Sequence, residues 1–329
     1  MAVSGGTLDL SDASNRPATI ELRAGGTLDF GANEFTGNVT YKGGAVTGAF
    51  AGNLNVSGAV TLAAGNIPSG KVVVTTGNSV GLASGFAGTV RLEGGSVTSG
   101  IETFAGDLEL GAGGSLDLTT DLASSADVVV DNGGALRGTG TVASLTVASG
   151  GLLAPGNSPG LTTVTGNLTL LGGGALDLEI LATGGEIFDP VAGSDYDSVV
   201  VGGNLDLTGL SLESRFLINV ISLLDPTTPG QVGDFDPALT KVYDVYAYTG
   251  ELLKTYGGSA TDLFQLDTTA FTFEGAALDA RVFTLVHNVA EQKIQLVYAP
   301  IPEPSTYGLI LGGLALAGAA IRRRRAKRA

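Results

Sequence analysis

The chain has no cysteine and no tryptophan, one histidine and one methionine among its 329 residues. Without cysteine there is no disulfide framework, no thiolate metal site and no thiol nucleophile. The lone histidine, His287, ends a predicted strand; with no second imidazole it builds neither an ordinary zinc site nor a visible nucleophile triad, and it is read as structural or solvent-facing. Aromatics make up 6% of the chain, which suits a slim interior of Leu, Val and Ala better than a thick globular core. Basic side chains are scarce as well: 17 Lys and Arg stand against 32 Asp and Glu, and six of the 17 fall in the last eight positions. A surface of that sign repels nucleic acid and anionic lipid, and no basic groove interleaved with aromatics offsets it. GxSxG, a Walker loop and GxGxxG ahead of a helix are all missing, so the sequence implies no cofactor. The opening MAVSGGTLDL has neither the basic nor the apolar stretch of a secretory signal peptide. It begins directly in repeat material, as expected of a fragment or a misplaced start.

Glycine is what the chain has in excess: 52 residues, with no Gly-X-Y period and only 11 prolines to suggest collagen. A hydrophobic content of 43% argues against disorder. The glycines punctuate one recurring phrase: GGTLDL at 5–10, GGTLDF at 25–30, GGSLDL at 113–118, GGALRG at 133–138 and GGNLDL at 202–207. LDLEI at 176–180 alternates aliphatic and acidic residues, the period of a strand with one dry and one wet face. Between 150 and 180 the turns GGLLAPGNSPG and GGG flank such strands, combining the positive φ of glycine with the fixed φ of Pro155 and Pro159. Clear Gly-Gly turns recur about every 17–20 residues. That interval fits one coil of a parallel β-helix; a leucine-rich repeat would need its asparagine or cysteine after LxxLxL, which is lacking.

The expected fold is all-β: a right-handed parallel β-helix over residues 1–209 with a β-rich cap at 210–300, a small β-sandwich being the alternative for the latter. Leu8 and Leu10, Leu28 and Phe30, Leu116 and Leu118, Leu176 and Leu178, and Leu205 and Leu207 should point inward and stack in columns. Each coil adds roughly 4.8 Å, so about ten coils would make a rod on the order of 50 Å long. The cap region carries longer strands and most of the Tyr and Phe.

Two features bear on function. Residues 181–198 interrupt the repeat with an acidic insertion. Asp189, Asp195 and Asp197 there could line a ledge, either as paired carboxylates for glycan cleavage or as oxygen ligands for calcium, with Phe188 and Tyr196 the only nearby sugar platforms. A solvated loop is the simpler reading. The sequons at Asn38, Asn55 and Asn167 mark exposed turns. At the C-terminus, YGLILGGLALAGAAI at 307–321 is uncharged and is followed at once by RRRRAKR. As a helix it covers roughly 22 Å, short of a full bilayer core, yet the basic cluster behind it would snorkel and hold a cytoplasmic side.

Residues up to about 209, and GGLLAPGNSPGLTTVTGNLTL above all, resemble bacterial autotransporter-associated β-strand repeats, which implies a right-handed parallel β-helix. Residues 301–329, IPEPSTYGLILGGLALAGAAIRRRRAKRA, resemble the PEP-CTERM sorting signal of Gram-negative bacteria. The resemblance implies an exosortase-type enzyme in the inner membrane as partner, with Pro302, Glu303 and Pro304 as the recognised residues and Arg322, Arg323, Arg324 and Arg325 as the retention element. It also implies transient residence in the inner membrane through the 307–321 helix, then release to the cell surface or extracellular matrix. The expected molecule is therefore a non-enzymatic surface or matrix protein, an adhesin or a structural component associated with exopolysaccharide, biofilm or neighbouring cell-surface glycans. A carbohydrate-active β-helix enzyme is the alternative.

Overall fold

The computed structural model describes residues 1–300 apart from 13, 15, 64–69, 105, 119–121, 123–125, 157 and 186–188. Apart from short 3-10 turns such as Ile101–Thr103, the regular structure is β. One parallel sheet of 12 strands runs through the fold, starting at Ala2–Val3 and Ile20–Arg23 and ending at Leu205–Asp206 and Leu252–Leu253. Each of its strands belongs to a different pass of the chain, so the molecule is wound coil upon coil in a solenoid-like arrangement. A second face is built from separate sheets of three, three and seven strands, parallel except for the short strand Thr228–Pro229 of the last, and a third face of six strands begins at Gly140–Val142.

Register explains why such short strands hold. On the inner face of the long sheet, Ile20 sits beside Val39, Val39 beside Leu54, Leu54 beside Val72, and the row continues through Val90, Leu108, Val128, Leu145 and Leu168 to Leu205. All ten are buried. A strand of four residues can bury only two side chains, and it is the rungs above and below that exclude water from them. Each aliphatic side chain so enclosed contributes roughly 1.5–3 kcal/mol. The second face carries a matching row, Leu116, Leu136, Leu153, Leu176, Ile218 and Leu266.

The Gly-Gly pairs form the corners, and each glycine has its own task. Gly133 adopts φ 77°, a left-handed conformation that favours glycine. Gly134 lies so close to the coil before it that a Cβ would stand 2.0 Å from the Leu110 carbonyl oxygen. Corner amides also bond coil to coil, with Gly113 N–H donating to Gly133 and Gly133 N–H to Gly150, each at 2.9 Å. A corner without side chains therefore lets successive coils approach to hydrogen-bonding distance.

The inward leucines expected from the sequence are buried, with two exceptions: Leu8 and Leu116 are only half-buried. Both lie on the first strand of their sheet, Gly6–Asp9 and Ser115–Leu118, and so have a covering rung on one side only. The phrase GGNLDL also changes place. Leu116 and Leu176 line the second face, whereas Leu205 belongs to the long sheet beside Leu168, because this Gly-Gly turns the chain from the third face into the first.

Parallel stacking continues past residue 209. Phe216–Asp225 pairs with Ala175–Ile180, Lys241–Tyr248 with Ser198–Val201, and Phe264–Asp267 with Phe216–Asp225, all parallel. The winding ends in antiparallel strands, Lys293–Tyr298 against Lys241–Tyr248, then Phe283–Asn288 against Lys293–Tyr298. An aromatic cluster fills this end: Phe235 packs edge-on against Phe271 and Tyr298 at centroid distances of 5.2 and 5.0 Å. Among the described residues no helix is long and apolar enough to cross a membrane; residues 307–321 lie outside them.

Candidate functional site

The acidic insertion does not gather Asp189, Asp195 and Asp197 into one ledge. Asp189 is exposed to solvent. Asp195 turns back on its own loop, one carboxylate oxygen accepting the Val191 N–H at 2.8 Å. Asp197 is fully buried. Its two oxygens accept N–H groups from two other segments, Gly160 at 2.7 Å and Glu179 at 2.9 Å, which ties the APGNSPG turn to the strand Ala175–Ile180. Glu179 in turn accepts the Ser158 hydroxyl. Loss of hydration pushes the Asp197 carboxyl up to about 8; the two N–H bonds oppose that shift, and the negative charges of Glu179 and Asp177 add to it. Asp197 is thus a staple between coils, beyond the reach of a bound sugar. Glu179, its partner, was not singled out by sequence reasoning.

The aromatic platforms do not serve that ledge either. Tyr196 is buried, packs edge-on against Tyr243 at 5.2 Å, and its hydroxyl accepts the Asp244 N–H at 3.0 Å. Phe188 lies outside the described residues. Among the described residues no group of three or more His, Asp or Glu side chains is placed to hold a metal ion. His287 shares a 2.8 Å hydrogen bond with the Tyr248 hydroxyl, and burial, with the charge of Lys254, holds its imidazole below the usual range.

Polar side chains on the outside of the coils work mainly on their neighbours. Arg91 meets Glu93, Glu109 and Asp131 at 2.8, 3.0 and 2.6 Å, linking successive rungs of the long sheet, and Lys71 joins the same Glu109 at 2.5 Å. Of the sequon asparagines, Asn38 and Asn167 are exposed and Asn55 is half-buried. Asn167 also caps the next coil, its side-chain oxygen accepting the Asn204 N–H at 2.9 Å; Asn204 repeats this with the Glu251 N–H at 2.9 Å. Gly-Asn corners at 166–167 and 203–204 are the sequence trace of that ladder.

The remaining candidate is the end of the fold. Lys293–Tyr298 is paired on both edges. Tyr298 is buried, its hydroxyl donates to the Pro237 carbonyl at 2.8 Å, and the Ala299 N–H donates to the Val282 carbonyl at 2.8 Å. The described chain is firmly held up to this point. Residues 300–325 match the PEP-CTERM protein-sorting motif. The motif contains Pro302, Glu303, Pro304, Arg322, Arg323, Arg324 and Arg325, all outside the described residues. It implies processing by an exosortase-type enzyme. No curated protein matches the chain. A β-rich body of stacked parallel strands thus carries a C-terminal sorting motif.

Proposed function

We propose that this is an exported, non-enzymatic structural protein of the cell surface or extracellular matrix, sorted through its PEP-CTERM motif. The observation that carries the reading is the junction: a solenoid-like stack whose buried acid, Asp197, is occupied in holding coils together runs, within two residues of its last strand, into the motif at 300–325. Pro302 and Pro304 resist helix and sheet pairing, which leaves an extended segment for an enzyme to read, with Glu303 as its polar handle. The apolar run at 307–321 serves as the transient inner-membrane span, and Arg322–Arg325 hold it on the cytoplasmic side. Stacked coils are what repeats of the autotransporter-associated type would build, and they offer neighbouring glycans a long polar flank. Many weak contacts along such a flank sum to useful avidity. The partners of the mature protein on this reading are exopolysaccharide or cell-surface glycans.

The test is replacement of Pro302, Glu303 and Pro304 by alanine in the full chain, expressed with an exosortase-type enzyme. Tail removal should stop while the melting temperature of the β-body stays unchanged. Normal removal of the tail from this variant would refute the assignment.

A further inference from the structure

The folded body and the segment to be read are nearly contiguous. Pro302 follows the buried Tyr298 by four residues. Four residues of fully stretched backbone reach at most about 14 Å, less than the width of a small domain. Whatever binds 302–304 therefore comes up against the terminal antiparallel sheet.

One face of that sheet carries exposed valines. In register, Val242 sits beside Val297 and Val297 beside Thr284; one row on, Asp244 sits beside Gln295 and Gln295 beside Val286. Val242 and Val286 are 41% and 42% exposed, and Val289, at the turn between the last two strands, is 70% exposed. These are three of the seven exposed large hydrophobic side chains among the described residues, and the other four are spread over the rest of the chain. The charge on the face is already matched: Asp244 pairs with Lys293 at 2.8 Å and accepts from Gln295 at 2.7 Å. Val242, Val297 and Val286 thus neighbour one another at the end of the sheet where the described chain finishes, with Val289 at the far turn, and valines beside neutralised charge mark an interaction surface.

We infer that this valine face is the contact surface for the membrane-embedded enzyme that processes the tail. The inference rests on the proposed sorting function and adds to it a second point of recognition. A protein fits the face better than a bilayer does. Setting aside the six basic residues of the tail and Glu303, the first 300 residues hold 11 basic and 31 acidic side chains, a balance that anionic lipid repels. Membrane-surface contact also calls for free basic or Trp and Tyr side chains, whereas this face offers valine and threonine beside a lysine, Lys293, already paired with Asp244 and Glu291.

The experiment is a pulse-chase of tail removal from the full chain, co-expressed with an exosortase-type enzyme. The variant V242T/V286T/V289T keeps a β-branched side chain of similar size at each exposed position, so its melting temperature should match the parent. Its processing should slow about tenfold, the loss of one modest contact. In a second variant, a flexible spacer of about ten residues between Ala299 and Pro300 uncouples the face from the motif. Processing should slow there too, and adding the valine changes should slow it no further. Parental rates in V242T/V286T/V289T would overturn the inference, and so would faster processing with the spacer, which would make the body an obstacle. If instead the parent chain is not processed at all, the sorting function itself fails.

Discussion

At the scale of single residues, the buried acid Asp197 is the most informative. A carboxyl group with both oxygens on backbone N–H groups would ordinarily sit low, yet full burial and two neighbouring acids win and raise it from 3.8 to about 8. The sign follows from proton counting: between those two values the folded chain holds a proton that the unfolded chain has shed. The contribution of Asp197 is therefore fully present below pH 4 and is lost as pH rises towards 8. The slope through that window is at most about 1.4 kcal/mol per pH unit. Asp197→Asn removes the titration and sets an amide N–H against a backbone N–H that had an acceptor. Urea melts across pH 4–8 should show stability falling in the parent and flat in the variant, with the variant about 1–3 kcal/mol less stable at the acid end. A parent whose stability rises over this range would contradict the raised carboxyl.

At the scale of elements, the coil columns were legible because two signals coincide: alternation of leucine with polar residues, and a Gly-Gly corner before it. Leu28, Leu176 and Leu178 are buried for that reason. What the pattern does not carry is which neighbour covers a given strand, and this is why Leu8 and Leu116 remain half-exposed at sheet starts. Nor does it carry which of three faces a Gly-Gly turn leads to, since GGSLDL and GGNLDL read alike and sit on different sheets. Coil length fades as a guide too. The step in register from Val90 to Leu108 is 18 residues, but that from Leu205 to Leu252 is 47, because whole strands of the other faces are inserted between. The same neighbour rule sets the cost of deletion. Leu136→Ala, covered by Leu116 and Leu153 and fully buried, should cost about 2–5 kcal/mol, and Leu116→Ala, with one open side, markedly less. Chemical denaturation of the two variants gives the comparison directly; equal losses would mean that the columns are not the source of stability.

At the scale of the whole molecule, the three faces differ in continuity, and that difference decides how the protein opens. The long sheet is unbroken over 12 strands, while the second face is interrupted after Ala45–Thr47 and again after Ser96–Ser99. In a stack whose stability is a sum of neighbouring interfaces, a missing rung removes one interface without touching the rest. Strands that end a sheet should then open locally, at far lower free energy than strands bonded on both edges. Among the described residues the six-stranded sheet of the third face begins at Gly140, so the C-terminal half also has one more continuous ladder to break. Hydrogen exchange of the full chain should show the slowest amides in Asp127–Val130 and Ser144–Val147, each bonded on both sides in the long sheet. The fastest strand amides should be those of Ala45–Thr47 and Ser96–Ser99. Uniform protection across these four strands would mean that the coils unfold as one unit. Such cooperativity would require side-chain contacts across the interior to outweigh the ladder bonds along it.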